Sequence, residues 1–540
     1  MAILRVIPRI RPQMELDDGK ELIPVVPAAP SLAGRIASGT IWLGGVTAVS
    51  RVLGLCSQFA LMWLLMPEHF GTLGLVQTIT IFATHLTSPG TDDVLLQKGA
   101  HLHRWSSAAF WLNLACGFAG GGAMVLLGLA VVTTAGALGN NAYGSPIVLK
   151  MIIIYAIGAP INAISSLPFV MLRAQLRFGR LAMIQFLEML CQHSLMVLFA
   201  WKGFGAYSFA LPMPIIAVAR TTALWLMVRP KVQWHLGLHR WPHLAVSTGY
   251  VLGYRILQTG WHHGDQIVLG VTYADKVING HYQSAVQLTQ QIVRVVCENL
   301  LLVLVPALTL IRNDQKRLEG AVATACRALG SMMIPLATLQ IFLAGPVIRM
   351  MFPERWAATI PLVQWLSFSP LIFAAAYPMM AMITATGRFK AAFRLAVVNV
   401  LLFYAIVIPA TVIGAARGAA IGVAIFYWTI AHLYAAVAFR SMRGIKVLHR
   451  AIARTLVSAA VAAVPAMALV HYMPTETRLN EACTVAVVTP IFLGVYAAML
   501  HRLDPQGFSL LRRRLGGAIV PIIRRLISVG RRPDQPAQTK

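Results

Sequence analysis

The chain has 540 residues, of which 58% are apolar and 12% are charged, with 45 Lys and Arg against 18 Asp and Glu. Globular proteins carry about 45–50% apolar and about 25% charged residues, so this composition excludes a water-soluble protein. The formal net charge of +27 would indicate nucleic-acid binding in a soluble chain, but in a membrane protein its meaning depends on where the charges lie.

From about residue 38 to about residue 502 the chain is a succession of apolar stretches of about 20 to 30 residues, each long enough to cross a hydrocarbon layer of about 30 Å. We therefore predict an all-α polytopic membrane protein with about 14 transmembrane helices. The predicted spans are 38–65, 71–97, 107–136, 146–172, 178–201, 205–228, 244–272, 280–308, 323–349, 357–385, 391–412, 416–439, 452–473 and 481–501.

The basic residues alternate strongly between the two sides of these spans. With the N-terminus inside, 33 of the 45 Lys and Arg fall in inner segments and six in outer segments. This asymmetry satisfies the positive-inside rule and predicts that both termini are cytoplasmic. Most of the basicity then reflects topology, and no nucleic-acid partner is expected.

The spans and their connections predict the domain organisation. Two short outer turns that end in glycine, at 67–71 and 275–280, are about six spans apart and favour two parallel six-helix repeats. The predicted regions are a cytoplasmic N-terminal extension (1–37), an N-lobe (38–228), an interlobe linker (229–243), a C-lobe (244–440), two extra helices (441–502) and a basic amphipathic cytoplasmic tail (503–540). No cleavable signal peptide is evident in the extension, so the first span is expected to direct insertion.

Two successive spans carry polar stripes. At 100° per residue, the polar residues of the seventh span occupy a stripe about 80° wide, and the eighth span repeats the pattern. The stripes contain Arg255, Gln258, His262 and Asp265, then Gln283, Gln287, Gln290, Arg294 and Glu298. A charge at mid-bilayer costs at least about 2.5–3.5 kcal/mol, so we interpret the stripes as the walls of a hydrated central cavity. The alternative is a set of buried ion pairs that hold the helices in register.

Three arginines are the most central cations, Arg51 in the first span with Arg255 and Arg294. The six cysteines all lie in predicted spans without CxxC or metal-site spacing, so they are expected to pack, and no metal or cofactor is predicted. No catalytic motif is evident and the loops are short, so no enzyme is predicted.

Several short motifs, in this order, resemble the polysaccharide (Wzx-type) flippases of the multidrug/oligosaccharidyl-lipid/polysaccharide (MOP) exporter superfamily. They are LLMPEHFGTL at 64–73, LRAQLRF at 172–178, DQIVLG at 265–270, GHY at 280–282, LVPAL at 304–308, ATGR at 385–388 and GAAIG at 418–422. The likeness covers most of residues 38 to 440 and leaves out the N-terminal extension and the tail.

The resemblance implies two lobes that rock about a cationic cavity. It implies that the chain carries undecaprenyl-diphosphate-linked oligosaccharide from the inner to the outer leaflet of the bacterial cytoplasmic membrane, for O-antigen, capsule or exopolysaccharide. The three central arginines would meet the diphosphate, and Gln258, His262, Gln287 and Gln290 would bind sugar hydroxyls. Asp265 and Glu298 are the candidates for ion coupling. Expected partners are membrane lipids and the polysaccharide polymerase and export machinery.

Three alternatives stay open at this point. A drug/cation antiporter of the same superfamily would need acidic and aromatic groups in its cavity, where the most central charges here are largely arginine. A lipid II flippase shares the span count and the cationic cavity, and only its substrate distinguishes it. An oligosaccharide polymerase or ligase would be expected to have a large outer loop, and no predicted outer loop reaches about 20 residues.

Overall fold

The structure is a computed structural model that describes part of the chain. The described residues are 49–515 without 51, 88–89, 98–101, 138, 141–142, 176, 231, 233–235, 237, 294–298, 441–442 and 474–476. Arg51, Arg294, Glu298, the N-terminal extension and the tail beyond residue 515 therefore lie outside the described residues. Within these ranges the chain forms helices and connecting turns and contains no β-strand.

The first eight described helices form what we call the N-half. They are α1 (Val52–Leu64), α2 (Pro67–Thr87), α3 (Thr91–Gln97), α4 (Leu102–Ala137), α5 (Pro146–Ala174), α6 (Phe178–Trp201), α7 (Tyr207–Ala210) and α8 (Pro212–Val228). The C-half comprises α9 (Trp241–His262), α10 (Gly264–Thr272), α11 (Lys276–Val293), α12 (Asn299–Leu310), α13 (Gln315–Met351), α14 (Ile360–Leu366), α15 (Phe368–Ala385) and α16 (Phe389–Ala438). After it follow α17 (Arg443–Tyr472), α18 (Arg478–Leu503) and α19 (Pro505–Leu515).

These helices fit a membrane protein. In the described ranges, nine helical stretches are long and apolar enough to span a membrane, and two shorter apolar helices accompany them. Lipid offers no hydrogen bonds to the backbone, so apolar chains cross it as helices. The longest helix, α16, holds two predicted spans, and Ala415 interrupts it with φ 48° and ψ −134° between them. The all-α polytopic prediction is confirmed, while the number fourteen stays a prediction.

The seventh span differs from its prediction as one continuous helix over 244–272. It breaks at His263, which has φ −125° and ψ 7°, so α9 ends at His262 and α10 begins at Gly264. Phe403 of α16 packs against Gly264 so closely that a Cβ there would lie 2.6 Å from its ring. This tertiary contact, with the low helix propensity of glycine, accounts for the break.

Two glycines bring the halves together where α2 and α11 begin, which we call the outer end and which the charge distribution predicts to be periplasmic. A Cβ at Gly71 would lie 1.9 Å from the carbonyl oxygen of Lys276, and one at Gly280 would lie 1.8 Å from that of Pro67. Each glycine thus contacts the residue that lies four positions before the other glycine. This outer glycine contact has the reciprocity of a local two-fold axis.

At the opposite, inner end, the two halves have matching backbone dihedral angles at two pairs of residues. The N-cap of α6, Arg177, has φ −84° and ψ 55°, and the N-cap of α16, Arg388, has φ −80° and ψ 54°. Arg229 after α8 and Arg440 after α16 both have left-handed φ, 46° and 53°. Each pair is separated by 211 residues, close to the 209 residues between Gly71 and Gly280, and the internal duplication itself stays a prediction.

The helices after the C-half pack onto α13. The Tyr496 hydroxyl of α18 donates to the Ser331 carbonyl at 2.8 Å, and Arg349 of α13 pairs with the buried Glu481 of α18 at 2.5 Å. The first described part of the basic tail, α19, packs against α13 and α18 through Phe508. It therefore adheres to the helix bundle.

Candidate functional site

Polar side chains join the two halves inside otherwise apolar helices. Gln283 of α11 donates from Nε2 to Oε1 of Gln77 of α2 at 2.9 Å. Nε2 of His85 on α2 lies 2.6 Å from the hydroxyl oxygen of Thr259 on α9. We call this surface of α2, α9 and α11 the polar interface. It is the place between the halves where polar groups accumulate among the described residues.

Arg255 belongs to this interface. It lies 14 residues after the start of α9, about 21 Å along the helix axis, and one turn before Thr259. Its charge acts on the His85 ring across the boundary between the halves. The Arg255 side chain is half-buried, and it also interacts with another group of the protein. The structure thus places a cation deep in the bundle, beside an imidazole and next to neutral hydrogen-bonding groups.

A second polar region lies within the C-half, which we call the C-half cavity. It has a volume of about 310 Å³ and is lined by residues of α9, α10, α11, α14, α15 and α16, among them His262, Asp265 and Gln290. Asp265 is buried, and its carboxylate accepts from the Tyr282 hydroxyl at 2.8 Å and from the Gln266 backbone N–H at 2.9 Å. His262 stacks on Trp261 with ring centroids 3.8 Å apart.

The predicted stripe of the seventh span is therefore divided. Arg255 lies by the polar interface, while His262 and Asp265 line the C-half cavity. Gln258 lines a separate cavity of about 20 Å³ with Asn399, which donates to the Tyr434 hydroxyl at 2.8 Å. The break at His263 places Arg255 and Asp265 on different helices, α9 and α10, and Asp265 accepts from Tyr282 and Gln266.

The structure describes part of the eighth predicted span. Gln283 joins α2, Gln290 lines the C-half cavity, and Gln287 lies partly buried between them on α11. Arg294 and Glu298, like Arg51 in the first span, fall outside the described residues, so their predicted roles stay predictions.

Sequence reasoning missed two residues of the polar interface, Gln77 and His85. They are eight residues apart in the second predicted span, and this spacing places them on roughly one face of α2. The signal was present but sparse, because most of the other residues on that helix are apolar or small. Tyr282, the donor to Asp265, entered the sequence analysis only as part of the GHY motif, and nothing in the sequence indicated its hydrogen bond, since a tyrosine in a helix often only packs.

The groups that meet here can bind an anion and hydroxyls. A guanidinium forms paired charge-assisted hydrogen bonds with phosphate oxygens, and glutamine amides both donate and accept. Across the described ranges, no group of three or more His, Cys, Asp or Glu could hold a metal ion.

Comparison with known proteins identifies the family. A family model described as "Polysaccharide biosynthesis protein" matches residues 60–361, more than half of the chain. The chain belongs to this family. The matched segment contains the outer glycine contact, the polar interface and Asp265.

Two curated relatives of this family member are similar over long segments. "Succinoglycan biosynthesis transport protein ExoT" of Rhizobium meliloti (strain 1021) is 22% identical over 57% of this chain and 60% of its own length. "Lipopolysaccharide biosynthesis protein WzxC" of Escherichia coli (strain K12) is 22% identical over 73% of this chain and 78% of its own length. The alignment with the first thus spans less than two thirds of that relative.

Solved structures share the fold. The lipid II flippase MurJ, in an inward closed conformation, superposes with a TM-score of 0.65 at 14% identity over 86% of this chain and 99% of its own. An inward-facing multidrug resistance MATE family transporter of the MOP superfamily gives 0.54 at 15% identity, over 74% of this chain and 95% of its own. At these identities the likeness establishes the architecture alone, that of a polytopic helical membrane protein.

The outer end of this family member is closed by more than the two glycines. The indole N–H of Trp356 donates to the Met62 carbonyl at 2.8 Å, and that of Trp63 donates to the Met351 carbonyl at 2.6 Å. The Phe70 ring of α2 meets the Trp356 ring edge-on at 5.2 Å. These contacts tie the start of the N-half to the C-half, so the structure is a state with the outer end shut.

Proposed function

We propose that this protein flips polyprenyl-diphosphate-linked oligosaccharide from the inner to the outer leaflet of the bacterial inner membrane, for a cell-surface or secreted polysaccharide. The observation that carries the proposal is the family match over residues 60–361, because the same segment holds the polar interface. The relatives named for succinoglycan transport and lipopolysaccharide biosynthesis support this class of cargo.

The polar interface offers groups suited to both parts of this cargo, the diphosphate and the sugar. The diphosphate would bind Arg255, with Arg51 and Arg294 as further predicted ligands, and its charge would offset the cost of holding arginine inside the membrane. Gln77, Gln283 and Gln287 offer amide groups to sugar hydroxyls. A cargo that carries both phosphate and sugar needs both kinds of group at one interface.

The acidic group proposed for ion coupling occupies a separate place. Asp265 lies in the C-half cavity with Tyr282, away from the arginine that the cargo would contact. We therefore propose that a coupling ion, such as a proton, binds Asp265 while the cargo binds at the polar interface. Loading of the two sites would then be linked through α9 and α10, which carry Arg255 and Asp265 on either side of the break at His263.

The membrane potential would assist this direction of transport. A diphosphate with about two negative charges that moves outward across an inside-negative membrane gains about 2.3 kcal/mol per charge per 100 mV. This requires the predicted orientation, with both termini in the cytoplasm. In the cell the protein would deliver its cargo to the polysaccharide polymerase and export machinery.

The experiment replaces Arg255 in a strain that lacks the chromosomal gene. Arg255→Ala should abolish surface polysaccharide and cause polyprenyl-linked oligosaccharide to accumulate, because the diphosphate loses its cation. Arg255→Lys should retain part of the activity, since the charge survives and the bidentate fork does not. Surface polysaccharide, the accumulated lipid and protein abundance are measured together.

The matched control removes another arginine from the bundle. Arg220 of α8 pairs with Glu188 at 3.3 Å, away from the polar interface, so the double variant Arg220→Ala with Glu188→Ala should export normally. Full export by Arg255→Ala would contradict the proposal. A loss of peptidoglycan precursor transport with normal polysaccharide would assign lipid II as the cargo, and a loss of drug resistance alone would assign an antiporter. Accumulation of outward-facing unpolymerised oligosaccharide would indicate the polymerase or ligase.

A further inference from the structure

A basic recess lies at the inner end of the C-half, away from the polar interface. It is an open recess of about 760 Å³ between the start and the end of α16, and its cations are Arg388, Lys390, Arg394 and Arg440. Gly387 precedes it with a left-handed φ of 69°, which turns the chain between α15 and α16. Because α16 leaves and returns to the same end of the bundle, its two ends meet there.

One of the four cations has a structural role. Arg388 donates to the carbonyls of Val437 and Ala438 at 2.8 and 2.7 Å, which caps the end of α16, and to the Thr386 hydroxyl at 3.1 Å. Burial, together with the nearby charge of Arg440, lowers the pKa of the Arg388 guanidinium. The capping contact thus explains Arg388 but leaves three further cations to account for.

Among the described residues, no carboxylate pairs with the other three cations. Lys390, Arg394 and Arg440 are exposed, and in the described part of the chain none of them forms an ion pair. Arg440 also holds a left-handed backbone, which costs an L-residue roughly 1–2 kcal/mol and usually selects glycine or asparagine. Within the described ranges these like charges are therefore clustered without a paired carboxylate, and Arg440 keeps its charge at a backbone conformation that glycine adopts at lower cost.

The matching N-cap of α6 shows that this backbone forms without cations at the positions of Lys390 and Arg394. By the 211-residue offset that relates Arg177 to Arg388, Lys390 and Arg394 correspond to Gly179 and Met183 in the N-half. The N-half keeps the same N-cap backbone with a glycine and a methionine at those positions. The N-half thus has no cation at the positions of Lys390 and Arg394, and it carries Arg180 where the C-half has Ala391.

The face of α16 below the recess indicates what the ligand is. Val398 and Leu401 follow Lys390 and Arg394 at steps of four, four and three, so the four side chains share one helix face. Both apolar residues are exposed, at 42% and 66%. Cations at the membrane surface that continue into an exposed apolar strip match a headgroup with its acyl chain.

We propose that the basic recess binds an anionic phospholipid of the adjacent leaflet, with its phosphate between Lys390, Arg394 and Arg440 and an acyl chain along Val398 and Leu401. Phosphate oxygens accept the charge-assisted hydrogen bonds that these cations can donate, and they relieve the repulsion among them. The bound lipid would hold the two ends of α16 together. This inference does not rest on the proposed function, because it requires binding and no transport.

The test measures thermal unfolding of the full purified protein in detergent, titrated with phosphatidylglycerol, phosphatidylcholine or inorganic pyrophosphate. Phosphatidylglycerol should stabilise the wild-type protein, and phosphatidylcholine should not. In K390Q/R394Q, the phosphatidylglycerol concentration for half-maximal stabilisation should rise about five-fold for each cation removed, about 30-fold for the pair. The control K446Q/R450Q removes two exposed cations of the nearby α17 that do not line the recess, and it should behave as wild type.

Each other outcome overturns the inference. Equal responses of the two double variants would show that general surface charge attracts the lipid. Stabilisation by pyrophosphate at the expense of phosphatidylglycerol would assign the recess to a soluble phosphate compound. No difference between phosphatidylglycerol and phosphatidylcholine in the wild-type protein would remove the site.

Discussion

The N-half and the C-half share a backbone plan and differ in their buried polar groups. In each half a glycine of the outer contact lies one turn after the start of a helix, α2 or α11, and each half ends at an arginine with left-handed φ. In the N-half, Asp92 accepts from the Ser166 hydroxyl, Ser166 also accepts from Asn113, and Asn113 accepts from Thr91. The polar groups there bond one another.

The C-half has a buried acid in a different place, because Asp265 lies at the wall of the C-half cavity. Its carboxylate accepts hydrogen bonds from the Tyr282 hydroxyl and from the Gln266 backbone N–H, at the wall of a cavity of about 310 Å³. The comparison teaches that two halves with matching backbone features can place their acidic groups in different surroundings. A closed network fixes helices, whereas an acid on a cavity wall can exchange an ion with its surroundings.

The largest effect is expected at the outer glycine contact, where the halves are most alike. Gly71→Ala and Gly280→Ala each place a Cβ within 2 Å of a carbonyl oxygen, well below the contact distance of 3.0 Å at which Cβ atoms begin to be found. Overpacking costs about 1–3 kcal/mol, which would lower the population of the shut outer end by about five-fold to 150-fold. We expect export to fall accordingly at normal protein abundance.

The same helix provides the control. Gly74 lies on α2 one turn after Gly71, and a Cβ there would lie 3.5 Å from the nearest atom, the Gln283 side-chain oxygen. Gly74→Ala should therefore export as wild type. Normal export by both Gly71→Ala and Gly280→Ala would show that transport does not need this contact to close.

An intermediate effect is expected when the two acids are compared directly. Asp265→Asn keeps the size of the side chain and removes its ionisable group, so acceleration of transport by an imposed proton gradient should fall by about five-fold or more. Asp92→Asn, inside the closed network, should leave that acceleration unchanged. Transport is followed in reconstituted vesicles over a series of pH gradients.

Protein abundance distinguishes coupling from a structural role. If Asp265 serves only to hold Tyr282, Asp265→Asn and Tyr282→Phe should both lower abundance and leave the pH dependence of the remaining protein unaltered. If Asp265 binds the coupling ion, Tyr282→Phe should keep the response to the gradient. A lost gradient response in Asp92→Asn would break the proposed division between the halves.

The smallest effect concerns the two N-cap arginines with matching backbones. Arg388 donates to two carbonyls and a hydroxyl, while Arg177 is exposed and its side chain forms no hydrogen bond within the described ranges. Arg388→Ala should lower the free energy of unfolding by about 1–2 kcal/mol and Arg177→Ala by less than about 0.5 kcal/mol. Equal shifts of the unfolding midpoint would show that the caps are equivalent.

The sequence predicted the helices because span length and charge asymmetry are strong signals. It also predicted the boundary at Ala415 to within a few residues, since the apolar run there is too long for one crossing. The break at His263 was missed because it depends on Phe403, a residue about 140 positions away that packs on Gly264.

The candidate site was predictable where it is charged and less so where it is neutral. Arg255 stands out in an apolar span because burying its charge is costly, whereas the roles of Gln77 and Tyr282 depend on hydrogen-bond partners in other helices, Gln283 and Asp265. Periodicity placed Arg255 and Asp265 on one stripe, and only the helix break separates them into two regions. The separation of Arg255 from Asp265 depends on packing between distant segments of the chain, so the periodicity of one helix does not predict it.

The central claim is tested most directly by flipping in vesicles that contain the purified protein. A polyprenyl-diphosphate-linked oligosaccharide with a fluorescent sugar is placed in both leaflets, and its loss from the accessible leaflet is followed with a sugar-modifying enzyme outside. The account predicts rapid movement with the wild-type protein, faster when the cytoplasmic side is made negative, and little movement with Arg255→Ala. Movement of lipid II at the same rate, or no movement of the oligosaccharide lipid by the folded wild-type protein, would contradict it.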